Sequence, residues 1–142
     1  MMETIKTRFG DIVVDTDKVV YFQRGLLGVP DKFQFQLATF PSEKMQQFTL
    51  LQSLDDANLS FITLPIDANG SLIAADDLRS AANDMQIAEA NLLALLIVSV
   101  HRGIEQVKIS VNLRAPLLID VQRKSGVQYV FPQDHYKVQH ML

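Results

Sequence analysis

The chain has 142 residues, a net charge of −3 and no cysteine. That length suits one domain spanning residues 1–142. It can bury roughly two-thirds of its unfolded surface without staples, and the missing cysteine excludes disulfides and a thiol nucleophile while permitting a cytosolic home. The N-terminal Met1-Met2-Glu3-Thr4-Ile5-Lys6 has no apolar core, so no signal peptide is expected. The apolar run Leu92 to Val100 is far short of the roughly 20 residues that span a bilayer. Arg123-Lys124 is the longest basic run, which argues against direct nucleic-acid binding, because phosphate neutralisation needs a basic patch.

In chain order, Ile5, Thr7 and Phe9 alternate up to Gly10-Asp11, and Ile12 to Val14 follow, so a hairpin opens the chain. Asp15 to Lys18 reads as a polar turn into a strand over Val19 to Phe22. In Gln23 to Pro30 two glycines and a proline break regularity, giving a surface loop. Leu26 and Leu27 in that loop either tuck beneath it or form an exposed contact. Phe33, Phe35 and Leu37 alternate as a strand, Pro41 to Gln47 reads as loop or a single helical turn, and Phe48 to Leu51 resumes a strand. Gln52 to Asn58 connects it to a strand over Leu59 to Leu64 that Pro65 should end, and Asp67 to Gly70 reads as a turn. Asp76 can cap a short helix over Asp77 to Asn83. The β-branched tail of Leu92 to Val100 favours a strand buried on both faces over a helix end.

Val107 to Phe131 is the stretch around which the other segments should pack. Val107, Ile109, Val111, Leu113 and Ala115 alternate with polar residues, and Leu117, Ile119 and Val121 keep the phase beyond Pro116. Pro116 cannot donate to a ladder, so it marks an edge or a corner. Arg123-Lys124-Ser125-Gly126 reads as a hairpin turn with Gly126 supplying the positive φ, after which Val127, Tyr129 and Phe131 face inward. Pro132 to Leu142 is polar, with room for one helical turn. Many short strands at about ten-residue spacing predict a mainly β, single-domain, antiparallel barrel or sandwich with one or two short helices.

Catalytic patterns are weak. Asp55-Asp56 and Asp76-Asp77 offer adjacent carboxylates for acid–base work, but both pairs fall where turns and caps favour Asp. Asp15-Thr16-Asp17 begins like a calcium loop without the later glycine and glutamate. His135 and His140 suit no zinc spacing, and His101 is remote. Phe33, Phe35, Tyr129 and Phe131 occupy inward strand positions and read as core. Two functional classes stay open on the residues alone, a protein-binding module and a small-ligand-binding or catalytic β-barrel.

Along nearly its whole length the chain resembles the flagellar assembly factor family FliW. The resemblance rests on Thr7-Arg8-Phe9-Gly10, on Phe22-Gln23-Arg24-Gly25-Leu26-Leu27-Gly28, and on Leu51-Gln52-Ser53 through Phe61 and Pro65. It continues with Asn112-Leu113-Arg114-Ala115-Pro116-Leu117-Leu118-Ile119-Asp120, then Gly126-Val127-Gln128, Tyr136 and His140. The chain departs from the family where Gln23 replaces a common proline and Val29 a common phenylalanine. The resemblance implies a cytoplasmic, non-enzymatic factor without cofactor or metal. It would bind flagellin as a chaperone and also CsrA, the translational repressor of flagellin message, relieving repression by partner switching. It implies no direct nucleic-acid or membrane contact, and it leaves the oligomeric state open with a monomer slightly favoured. Leu26, Leu27, Gln52, Ser53, Asn112, Arg114 and Gln128 are the expected contact residues, although Asn112 and Gln128 could equally close backbone hydrogen bonds around the Pro116 bend.

Overall fold

A computed structural model describes residues 2–7, 9–40, 43–67 and 70–142. Arg8 of the opening segment, Pro41 and Ser42 of the 41–47 loop, and Ala68 and Asn69 of the expected 67–70 turn lie outside the described residues. Among the described residues eleven strands and one α-helix follow in order: β1 (Met2–Thr7), β2 (Gly10–Asp15), β3 (Val20–Phe22), β4 (Gln34–Thr39), β5 (Thr49–Ser53), β6 (Ser60–Ile66), α1 (Ala75–Asp84), β7 (Leu92–Arg102), β8 (Val107–Val111), β9 (Leu117–Asp120), β10 (Ser125–Gln128) and β11 (His140–Met141). The architecture is mainly β, as the strand spacing predicts.

Seven strands close a barrel in the order β7-β6-β5-β4-β3-β10-β9, with β9 pairing back onto β7. Every pairing is antiparallel except β3 with β10, which is parallel. Alternation sorts the side chains. Val20, Phe22, Phe35, Leu51, Leu95, Leu117 and Ile119 fill the barrel interior as one cluster. The outward residues Ile62, Ala94, Leu96, Val98 and Leu118 lie under Leu78 and Ala81 of α1 and under Phe131 and Tyr136 of the C-terminal segment. The β1–β2 hairpin covers Leu50 on the opposite flank with Ile12 and Val14. The continuous apolar run in β7 thus has a physical reason. Leu95 faces the interior and Leu96 the helix layer, each is fully buried, and each burial is worth about 1.5–3 kcal/mol.

The Val107 to Phe131 stretch does run through the centre of the fold, but not as one alternating hairpin. β8 and β9 lie successively along the same side of β7. Between Val98↔Val111 and Leu95↔Leu117, β7 advances three residues while the opposing chain advances six. The surplus puckers out as the bend at 112–116. All four residues of β9 are buried, so strict alternation ends there, and Val107 is exposed on an arm beyond the barrel.

Several local expectations change. The positive φ of the turn belongs to Lys124 (57°), while Val121 sits exposed in the same turn instead of facing inward. Gly126 lies in β10, where an added Cβ would come within 2.5 Å of the Phe22 ring. Pro65 pairs with Leu95 inside β6 and does not end it; past Thr63 that strand has lost β5 as a neighbour, so one flank needs no donor. The helix begins at Ala75, so Asp76 and Asp77 occupy its first turn, where the helix dipole favours carboxylates, and Asp76 is no cap. Phe33 precedes β4 and is exposed. The C-terminal segment forms turns and then β11 on the edge of β8, in place of a helical turn.

Tyr136 fastens that segment to α1. Its hydroxyl donates to the Asp77 carboxylate and accepts the Ala74 N–H at 3.1 Å, and Gln133 Nε2 reaches Asp77 Oδ1 at 3.4 Å. Burial, followed by the Asp77 hydrogen bond, pushes the Tyr136 phenol above its ordinary pKa; Tyr129 is raised chiefly by its hydrogen bond to Asp84.

Two outcomes are expected. Gly126→Ala should cost about 1–3 kcal/mol by overpacking against Phe22, read by chemical denaturation. The unfolded chain loses its phenolic protons near pH ~10, whereas the native state holds these two to higher pH. The stability they contribute is therefore complete below about pH 10 and declines as pH rises through the raised native pKa values. Tyr136→Phe should lower stability by about 1–3 kcal/mol at neutral pH and flatten that alkaline decline in a denaturation series.

Candidate functional site

Strand directions bring all seven expected contact residues to one rim of the barrel. The C-terminal ends of β3, β5 and β10 and the starts of β4, β6 and β9 meet there, together with the 112–116 bend. A chain of hydrogen bonds runs along the rim. Gln128 Nε2 donates to Ala115 O at 3.1 Å, and its Oε1 accepts the Leu27 N–H at 2.8 Å. Leu27 and Gly28 form the centre of a turn closed by Val29 N–H to Leu26 O at 2.9 Å, with Gly28 supplying φ 88°. Lys32 N–H reaches Val29 O at 3.3 Å, and Asp55 Oδ2 accepts both the Phe33 and Gln34 N–H at 3.1 Å. Ser53 Oγ accepts the Asp55 and Asp56 N–H at 3.1 and 3.0 Å.

The residues divide by role. Leu26 is buried in the barrel cluster, while Leu27, 66% exposed, stands at the turn tip. Leu26 thus tucks beneath the loop, while Leu27 is exposed. Gln52 and Ser53 are fully buried and do not reach the surface; the Gln52 amide donates to Ser53 O, Ala57 O and Leu59 O at 3.0–3.2 Å and holds the 53–59 loop shut. Asn112 Oδ1 accepts the Ala115 N–H at 3.0 Å, so Asn112 and Gln128 both close backbone groups around the bend. Arg114 is half-exposed and sits 3.6 Å from the exposed Asp134, a contact worth about 0–1 kcal/mol in water. Phe33 and Val130, 42% and 49% exposed, belong to segments hydrogen-bonded into this rim. Sequence reasoning missed them. For Phe33 the signal was the carboxylate of Asp55, whose bonds hold that residue ahead of the strand.

The carboxylates singled out from sequence act as acceptors for nearby donors. Asp15 accepts the Asp17 N–H at 3.0 Å, which holds its pKa below the usual carboxylate value. Asp56 accepts the Asn58 N–H, Asp76 pairs with the Arg79 guanidinium, which also bonds Glu89, and Asp77 serves Tyr136. His101 Nε2 lies 2.7 Å from Ser110 Oγ on the β7–β8 arm, and His135 stacks on Tyr136. Among the described residues no group of three His or carboxylates is placed to hold a metal ion. The rim can therefore offer a pre-organised surface of apolar points on a hydrogen-bonded frame.

Gln23 stands at the second position of a turn closed by Gly25 N–H to Phe22 O at 2.8 Å, a position that suits proline. Val29 is half-buried against the barrel cluster. Both departures from the family pattern are thus compatible with the loop.

The model of the FliW protein family matches residues 3–142. A flagellar assembly factor FliW of Clostridium botulinum (strain Hall) is 31% identical over 134 residues, covering 94% of this chain and 91% of the relative. That of Thermoanaerobacter pseudethanolicus is 30% identical, covering 99% and 93%. A crystal structure of the flagellar assembly factor FliW shares the fold, with a TM-score of 0.73, 24% identity, and 98% and 96% of the two chains covered. The barrel, its rim and these matches together show that the chain belongs to the FliW family of flagellar assembly factors.

Proposed function

We propose that the protein acts in the cytoplasm as a non-enzymatic flagellar assembly factor with two competing partners. It binds newly made flagellin as a chaperone. When flagellin is exported, it turns to a CsrA-type translational regulator and relieves repression of flagellin message. The observation that carries the reading is the family match over residues 3–142. The physical content is differential affinity, with occupancy by one partner lowering affinity for the other.

What supports a contact role at the rim is the pairing of an exposed leucine with a fixed backbone. Leu27 is presented on a turn held by Gln128 and Gly28, so little conformational entropy is lost when a partner covers it. Phe33, Val130 and the Arg114 guanidinium would complete the patch. A ligand-binding or catalytic barrel draws less support, because apolar side chains fill the interior.

Calorimetric titration with cognate flagellin, then CsrA, then CsrA after flagellin saturation tests the switch. The expected outcome is micromolar or tighter binding to each, with the second suppressed by the first. Binding to neither would overturn the reading. Leu27→Ser should weaken flagellin binding by about tenfold or more while changing stability by less than about 0.5 kcal/mol. Gln128→Ala should also weaken binding, through a loosened turn, and cost about 1 kcal/mol of stability.

A further inference from the structure

Beyond Ile97, β7 leaves the barrel. Its pairing with β6 ends at Thr63↔Ile97, whereas its pairing with β8 runs from Val98↔Val111 to Arg102↔Val107. The first residues of β6 stay with β5. β6 and β7 therefore diverge, and Phe9, Phe61, Ile62, Val98, Val100 and Arg102 line a cleft of about 500 Å³ between them.

The ladder geometry fixes which backbone groups face this cleft. The Asn112 N–H donates to Ile97 O at 2.9 Å, and the Gly103 N–H to Gln106 O at 2.9 Å. In an antiparallel ladder those bonds bracket two pairs without direct hydrogen bonds, Val98/Val111 and Arg102/Val107, and make Val100/Ile109 a third. The Leu142 N–H reaches Ile109 O from the far flank at 2.9 Å, as this phase requires. Ser99 and His101 therefore direct their N–H and C=O toward β8. Val100 and Arg102 direct theirs into the cleft, past the last β6 pair, an open edge of the kind that templates added strands.

The side chains add chemistry. Five of the seven described lining residues are apolar, Ser60 and Arg102 are the polar ones, and Val100 is 38% exposed. In a chain of net charge −3, no carboxylate lines this cleft among the described residues. Among the described residues Arg102 is the charged one of the lining, and its guanidinium forms no ion pair with another of them. An open edge, alternate apolar contacts and an unpaired guanidinium together suit an extended, acidic–apolar peptide.

We propose that this cleft takes up an extended polypeptide segment as an added strand along Val98–Arg102, with apolar residues at alternate positions and a carboxylate paired with Arg102. The cleft opens beside the start of β6 on the same rim, but it shares no lining residue with the Leu27 patch and does not depend on which protein covers Leu27.

Amide hydrogen exchange of the free protein tests the edge itself. The Val100 and Arg102 amides should exchange at least about 100-fold faster than those of Ser99 and His101. The probe for binding is a set of short synthetic peptides alternating Val, Ile or Phe with Thr and ending in Asp, beside counterparts ending in Lys. Asp-ended peptides should bind about tenfold tighter than Lys-ended ones and shift amides at Phe61, Ile62 and Val98 to Arg102. Val100→Pro deletes a donor that faces away from β8, so it should keep the thermal transition yet lower peptide affinity by about tenfold or more. Arg102→Glu should reverse the preference for the charged end. Slow exchange at Val100, no binding by any peptide, or binding that both variants leave unchanged would overturn the proposal.

Discussion

Strand β7 is the constraint on which the fold depends. It pairs with β6 along one side, and along the other with β9 and then β8, so the barrel closes through this strand and the arm grows from it. Both of its faces are also needed: Leu93, Leu95 and Ile97 complete the interior, and Ala94, Leu96 and Val98 carry the layer of α1 and the C-terminal segment. A strand with so many neighbours tolerates polar residues only where it leaves them. The polar positions Ser99, His101 and Arg102 all lie beyond the last β6 pair.

The rim follows from the same geometry. One chain segment must follow β7 along both the barrel wall and the arm, and the register difference between the two forces the 112–116 bend outward. Asn112 closes that bend from within, and Gln128 joins it to the Leu27 turn. Buried groups beneath, chiefly Gln52 and Ser53, hold the next loop in place. The polar side chains serve as frame and the apolar ones stand exposed on it, a division that fixes the shape of the rim without any partner.

Much of the fold was legible in residue order, since period-two alternation locates β1, β4 and β8, and the unbroken run from Leu92 reports a strand buried on both sides. What escaped depends on contacts remote in sequence. Gly126 reads as a turn glycine until the Phe22 ring is seen against it, and Tyr136 reads as a tail residue until Asp77 and Ala74 meet its hydroxyl. The candidate surface was legible as a set of segments, because their resemblance to a family runs along the chain. Its exposed members were not, since nothing local separates Leu26, which enters the barrel cluster, from Leu27, which does not. Likewise, Gln52 looks like a surface amide until its acceptors in the 53–59 loop are counted with it.

The central claim is that the barrel rim, framed by Gln128 and the 112–116 bend, is where a flagellar partner docks. Amide exchange footprinting of this protein with and without saturating cognate flagellin tests it most directly. The account predicts new protection concentrated at Leu27 to Val29, Phe33, Arg114 and Val130, with α1 unchanged. Protection confined to α1 and the β1–β2 hairpin, with the rim exchanging as in the free protein, would contradict it.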